Sequence, residues 1–342
     1  MFNLTALQLQ FTCETVTSIQ LGGWHTGANL RGALSNVMRR AYCGHGTPTP
    51  TPPPSSRLST TGAGPGACPV CWLLAADEHP GEERRGYALV PPPRETCPVS
   101  KNLTGLYAPG QRFTFGLTLF GDAQRYLPYF ILAVPEMGRS GVGARRGQFA
   151  LRSVTALDPL DGHDQIVLAE GESLVRVPDR LITPGRVTPI ADRRHPPGQG
   201  EGQGVRVRLN FMTPMRLIDN GGLVKAPDFG VLFKRLLERL DELNVQYSGG
   251  TPRPSADVQA LQTLANQVRL IESQTQWIEL QSGSRRTRRT TPISGFVGPA
   301  TYAAARDVWR ALLPWLVWGT IAQVGKDVVK GNGVYEILKD EG

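Results

Sequence analysis

The sequence predicts an α+β protein made of two tandem domains, each a β-α-β-β-α-β unit of the ferredoxin-like (RRM-like), split βαβ kind. Two observations predict it. The order of strand-period and helix-period stretches is alike in the two halves. In addition, the stretch Leu127–Leu151, LPYFILAVPEMGRSGVGARRGQFAL, has an imperfect second copy, LPWLVWGTIAQVGKDVVKGNGVYEIL, starting at Leu313. Each copy opens Leu-Pro-aromatic and continues as an apolar run. Each then reaches a loop of glycines and basic residues (Gly138, Gly141, Gly143 and Gly147; Gly325, Gly331 and Gly333) and ends as an alternating strand. Similarity at this spacing points to two related domains, the alternative being two unrelated glycine-rich turns. A chain of 342 residues with 40% hydrophobic content is long and apolar enough for two cores.

In chain order, Leu7, Leu9, Phe11 and Cys13 alternate with Gln8, Gln10 and Thr12, a half-buried strand. Gly22, Gly23 and Gly27 bracket a turn that contains Trp24 and His25. A helix is expected over Asn29 to Tyr42, with Leu30, Leu34, Val37 and Met38 on one face. Thr47 to Gly66, TPTPTPPPSSRLSTTGAGPG, is low in complexity and reads as a disordered or extended insertion. Phe113, Phe115, Leu117 and Leu119 mark a second strand. Pro189 to Gly204, rich in Pro, Gly and Arg, reads as the linker between domains. Beyond it, Val205, Val207, Leu209 and Phe211 oppose Arg206, Arg208 and Asn210 on another strand. Asp228 is placed to cap a helix with the stripe Phe229, Leu232, Phe233, Leu236, Leu237, Leu240 and Leu243. A further amphipathic helix is expected over Asp257 to Glu272, a strand over Ile293 to Val297, and a last helix opening at Pro314. The expected domains are therefore 1–187, with a Pro-rich, Cys-containing insertion at 43–100, and 205–342, joined by a linker over 188–204.

The chain carries 37 Lys and Arg against 29 Asp and Glu, a net charge of +8. That balance favours a polyanionic partner. No apolar run approaches the ~20 residues of a membrane span, and the opening MFNLTALQLQF lacks the basic region of a signal peptide. A cytoplasmic protein without a membrane partner is expected, with five unevenly spaced cysteines kept reduced. The loop GKDVVKGNGVYEI combines unhindered backbone N–H groups with two lysines, which suits an RNA or nucleotide phosphate. Cys68 and Cys71 form C-P-V-C, a spacing that sets two thiolates on one metal. Cys43 and Cys97 would complete a tetrahedral set, so a structural zinc is one reading and thiols without metal the other.

LRGAL (Leu30 to Leu34), TLFGDAQRYLPYFILA (Thr118 to Ala133), NFMTPMRL (Asn210 to Leu217), GFVGPATY (Gly295 to Tyr302) and VGKDVVKGNGVYEI resemble the CRISPR-associated endoribonucleases that process precursor CRISPR RNA. These are the sixth Cas family, within the RAMP superfamily. The resemblance is ordered and spans most of the chain apart from the Pro-rich insertion and the linker. It implies a glycine-rich loop near the C-terminus, binding of CRISPR repeat RNA and of the crRNA product, and contact with other Cas effector subunits. It also implies cleavage without a metal: the ribose 2′-OH attacks the adjacent phosphate, leaving a 2′,3′-cyclic phosphate and a 5′-OH. Asp327 and Lys330 depart from the family pattern, where glycine or a small residue and an aromatic are expected. The cysteine cluster is similar to one that some members carry after the first helix. The second functional reading is a related RAMP subunit that holds guide RNA in an effector complex and cuts nothing.

Such cleavage needs a base for the 2′-OH, an acid for the leaving 5′ oxygen, and cations for the developing charge. Of His25, His45, His79, His163 and His195, only His25 lies between the first strand and first helix, where the family frequently places this function. The other reading of His25 is a turn histidine packed against Trp24. Arg31 and Lys326 are expected at the phosphate. Arg39, Arg40, Arg145, Arg146, Lys330, Gly331 and Gly333 are expected along the RNA, as is the basic turn of Arg285, Arg286, Arg288 and Arg289. Tyr302 and Tyr335 are candidates for stacking on bases, with core packing as the alternative.

Overall fold

A computed structural model of the chain describes residues 1–43, 68–74, 84–93, 105–193, 205–283 and 290–338. Its first half opens with β1 (Ala6–Thr15), whose alternating pattern buries Leu7, Leu9, Phe11 and Cys13. There follow β2 (Ile19–Gln20), α1 (Thr26–Tyr42), α2 (Pro69–Leu74), β3 (Tyr87–Val90), β4 (Leu106–Tyr107) and β5 (Arg112–Phe120). α3 (Leu127–Ser140), β6 (Phe149–Leu157), β7 (Gln165–Leu168) and α4 (Pro184–Arg193) complete it. The sheet runs β3-β5-β1-β6-β7. β1 pairs antiparallel with β5, from Ala6 opposite Phe120 to Glu14 opposite Arg112.

The second half repeats the plan. β8 (Val205–Met215), β9 (Leu217–Asp219) and β10 (Gly222–Val224) precede α5 (Phe229–Tyr247) and α6 (Ser255–Ala265). Then come β11 (Arg269–Ser273), β12 (Gln276–Ile278), β13 (Gln281–Gly283), β14 (Thr290–Pro292), β15 (Gly295–Ala304), α7 (Arg306–Ala322) and β16 (Tyr335–Leu338). The sheet runs β11-β15-β8-β16, with β12 also on β15. In both sheets the first strand of the unit lies centrally between the third and the fourth, the ferredoxin-like order. The protein is thus an α+β chain of two ferredoxin-like domains. Asp228 caps α5, its side chain accepting from Val231 N–H at 2.9 Å, and the stripe from Phe229 to Leu243 is buried.

Four expectations need correction. α7 starts at Arg306, not at Pro314, which sits in its interior. A mid-helix proline removes one i→i−4 bond, and the buried Leu312, Leu313, Leu316 and Val317 around it hold the helix together. The helix expected over Asp257 to Glu272 ends at Ala265. Arg269–Ser273 instead pairs with β15, because a free sheet edge offers the backbone partners that a helix end does not. α1 begins three residues early, at Thr26. Residues 188–193, read as the start of the linker, form the last turns of α4. Tyr302 and Tyr335 belong to the core, their hydroxyls donating to the carbonyls of Pro227 (2.9 Å) and Leu316 (2.6 Å). Cys13 is likewise core, and burial pushes its thiol well above its usual range. The low-complexity stretch 47–66 lies outside the described residues.

Candidate functional site

The turn between β2 and α1 is held by its own backbone. β2 pairs with β4, Ile19 opposite Tyr107. The chain then takes one 3-10 turn at Gly23–His25, which runs straight into α1. His25 N–H donates to Gly22 O at 3.0 Å, and Thr26 Oγ1 donates to Gly23 O at 2.7 Å. Asn29 Nδ2, one turn into the helix, donates to Leu21 O at 2.8 Å and closes the loop. The turn points the half-buried His25 ring at the other half of the molecule, where its Nε2 lies 3.0 Å from Gln281 O of β13.

The C-terminal glycine-rich loop meets the same turn. It is folded against β8 and its continuation: Lys326 N–H donates to Arg216 O at 3.0 Å and Gly333 N–H to Pro214 O at 3.1 Å. The buried Asn332 side chain donates to Ile293 O at 3.0 Å, tying the loop to the hairpin of β13 and β14. Gly331 has φ +82°, a left-handed conformation that costs glycine nothing and a β-carbon more. A methyl group on Gly331 would approach Pro91 Cδ to 2.8 Å, and one on Gly27 would strike the Lys330 carbonyl oxygen. The first turn of α1 and the loop are therefore in main-chain contact. Within the loop, Lys330 Nζ pairs with Asp327 at 2.8 Å, whereas Lys326 is exposed and enters no ion pair with another described residue.

Beside this junction lies a polar group that the sequence reading did not single out. Glu279 accepts from Ser294 Oγ at 2.8 Å and from Trp277 Nε1 at 2.6 Å. The Ser294 and Trp277 bonds hold its carboxyl below the usual glutamate range, helped by Lys225 and Arg216. Lys225 Nζ stands 5.7 Å from the Trp277 ring centroid, and Arg216 reaches Ser294 O at 3.4 Å. Because Leu280 N–H donates to Ser294 Oγ and Gln281 faces His25, this cluster and the histidine share one ledge. Arg216 was legible in NFMTPMRL as part of a motif; Lys225, Glu279 and Ser294 carry no local signal.

The other expected residues are scattered. Arg31, one helical turn beyond Gly27, is half-buried beside Arg85. Arg85 is held below its usual range by burial first and by Arg31 among the charges. Arg40 is bonded to Glu136 (2.9 Å) and Ser140 (3.0 Å) at the far end of α1, about 22 Å along the helix from His25. Arg39 is half-buried near it, and Arg145 and Arg146 are exposed in the first glycine-rich loop. His163 is exposed and pairs with Asp161 at 3.0 Å. His45, His79, His195, Cys97 and the arginines 285, 286, 288 and 289 lie outside the described residues.

The cysteines do assemble. The Sγ atoms of Cys43, Cys68 and Cys71 lie within 4.8 Å of one another, Cys43 and Cys71 at 3.8 Å. A tetrahedral zinc with Zn–S bonds of ~2.3 Å sets its sulfurs about 3.8 Å apart, so the three fit one ion. Burial, then the neighbouring Cys68 and Cys43 thiols, push the Cys71 thiol up to about 12.

Among family models, one described as CRISPR-associated endoribonuclease Cas6 matches residues 209–335, and an N-terminal-domain model matches residues 4–180. Residues 209–335 thus carry a domain of the CRISPR-associated Cas6 endoribonuclease family. Solved Cas6 structures share its fold at low identity. A Thermus thermophilus Cas6 is 13% identical, with 98% of this chain and 99% of that chain covered and a TM-score of 0.55. A Cas6 product complex is 14% identical over 97% and 100%, with a TM-score of 0.54. A partial Cas6-RT-Cas1–Cas2 complex is 13% identical over 99% of this chain and 46% of that one, with a TM-score of 0.59. No curated protein matches the sequence. Among the described residues, no helix is long and apolar enough to cross a membrane.

Proposed function

We propose that this Cas6 protein cuts CRISPR repeat RNA in precursor transcripts, releasing crRNA units without a metal ion. The reading rests on one observation: the head of α1, the C-terminal glycine-rich loop and the β13 hairpin converge on His25. The 2′-OH loses its proton and its oxygen attacks the adjacent phosphorus. The bond from phosphorus to the 5′ oxygen breaks, and that oxygen gains a proton, leaving a 2′,3′-cyclic phosphate and a 5′-OH. His25 supplies one of the two proton transfers. Its Nε2 contact with the Gln281 carbonyl orients the ring in the free protein. Lys326 and Arg216, joined through the loop backbone, bring positive charge to the phosphate, with Lys225 beside them. Arg145 and Arg146, exposed in the first glycine-rich loop, bind the RNA, as do Arg285, Arg286, Arg288 and Arg289. The division at 188–204 assigns His25 to the first domain and the loop to the second.

The test is incubation of the full chain with its own repeat RNA in EDTA. Cleavage to a cyclic-phosphate end supports the reading. Tight binding with no cleavage at any metal concentration replaces it with an RNA-holding RAMP subunit.

Cys43, Cys68 and Cys71 form a structural zinc site in this proposal, joining the end of α1 to α2 well away from His25. Zinc would supply crosslinking alone. Metal analysis of the purified protein is expected to find zinc that Cys43→Ser and Cys71→Ser lose, with a lower Tm and cleavage retained. A wild-type protein purified without zinc, and unchanged in Tm on its addition, overturns the site.

A further inference from the structure

We infer that the two glycine-rich loops together form a two-sided seat for the His25 turn, which makes Gly27 and Asn29 positioning residues for cleavage. This rests on the reading of His25 given above. The first loop holds the incoming chain. A methyl group on Gly143 would strike Gln20 O, and one on Gly147 would lie 2.5 Å from Ser18 O and 2.6 Å from Ile19 Cα. Gly105, at the end of β4's approach, faces Gly23 N at 3.1 Å by the same measure, and its carbonyl accepts from Leu21 N–H at 2.9 Å. The second loop holds the outgoing chain through Lys330 and Gly331, against which only a glycine at position 27 fits. Residues 18–27 are thus pressed by main chain at both ends, with His25 at the apex. Asn29 ties the ends to each other through Leu21 O.

Main-chain seats on both sides leave the turn no slack. A β-carbon at position 27 must move either the loop or the first turn of α1, and the His25 ring moves with that turn. Displacing a catalytic group by about 1 Å costs on the order of 10²-fold in rate. The similarity between the two copies then has a use: each glycine-rich loop grips one flank of the same ten residues.

A double-mutant cycle tests this, with single-turnover cleavage of the repeat RNA and RNA affinity both measured below the melting range of every variant. Gly27→Ala is expected to slow cleavage about 10²-fold while affinity changes less than about 3-fold. In the His25→Ala background it is expected to add less than about 3-fold. Asn29→Ala removes one hydrogen bond and introduces no collision. It is expected to slow the wild type about 10-fold and the His25→Ala protein not at all. If Gly27→Ala fails to fold, Asn29→Ala carries the test. If the substitutions slow His25→Ala as much as wild type, the seat does not act through His25 and the inference fails while the functional reading stands. If His25→Ala itself cuts at the wild-type rate, the functional reading fails.

Discussion

His25 has one ring nitrogen 3.0 Å from a carbonyl of the opposite domain and, among the described residues, no hydrogen-bond partner at the other. That is a poised arrangement for a proton shuttle, and it predicts a clean separation of rate from binding. His25→Ala is expected to slow single-turnover cleavage by ~10²–10⁴-fold with RNA affinity nearly intact. The two loop lysines are not equivalent. Lys330 is already paired with Asp327, whereas Lys326 is exposed. Lys326→Ala should reduce the slope of log affinity against log salt by about one, and Lys330→Ala by less. A titration of affinity against salt for both variants checks this, and equal slopes would count against it. Glu279 gives a pH dependence. Its carboxyl is held low in the folded state, so it contributes stability above the ordinary glutamate range and loses that contribution as pH falls through the depressed value. The Tm gap between wild type and Glu279→Gln should close on acidification; the gap is small because water screens an exposed group. The turn that holds His25 was legible from its glycines. Glu279, Ser294 and Lys225 were not, because they meet only when the β12–β15 region folds back on β9 and β10.

At the scale of elements, the strands were read best. Alternation in β1, β5 and β8 is set by one buried face, and a slip of one residue would expose all of it. Helix ends were read less well, because packing outvotes local signals: Pro314 sits mid-helix inside a buried stripe, and β11 exists because β15 has an edge to offer. The C-terminal glycine-rich loop was legible as a loop whose glycines allow positive φ or a close backbone approach. In the fold, protein main chain packs closely against Gly333. A methyl group on Gly333 would strike the carbonyl of Val324, and its φ of +78° is left-handed. Gly333→Ala is therefore expected to destabilise the protein by roughly 1–3 kcal/mol, read as a lower Tm in the absence of RNA. An unchanged Tm with weakened RNA binding would assign Gly333 to the RNA instead.

The whole molecule is held by a seam that no single stretch of sequence announces. Gln323, fully buried at the end of α7, donates to Leu89 O of β3 at 2.7 Å. Asn244 of α5 accepts from Asn3 N–H at 2.7 Å and donates to Met1 O at 3.1 Å. Tyr247 donates to Arg84 O at 2.6 Å and packs edge-on against Trp72, while Arg84 also pairs with Glu242. The buried apolar residues of both halves form one contiguous cluster. A joint of this kind is unlike the small polar contacts that let domains move independently, and His25 needs it, since the ring and the loop it faces come from opposite halves. The two domains should accordingly unfold as one unit. Calorimetry of the full chain is expected to show a single transition whose calorimetric and van't Hoff enthalpies agree. Asn244→Ala removes the hydrogen bonds that a buried side chain makes to Asn3 N–H, Met1 O and Thr251 O, at a cost of about 1–3 kcal/mol, and should move that one transition down without splitting it. Two resolved transitions in the wild type, or a split in Asn244→Ala, would mean that the halves fold independently and that the approach of His25 to the loop is a contact between mobile domains.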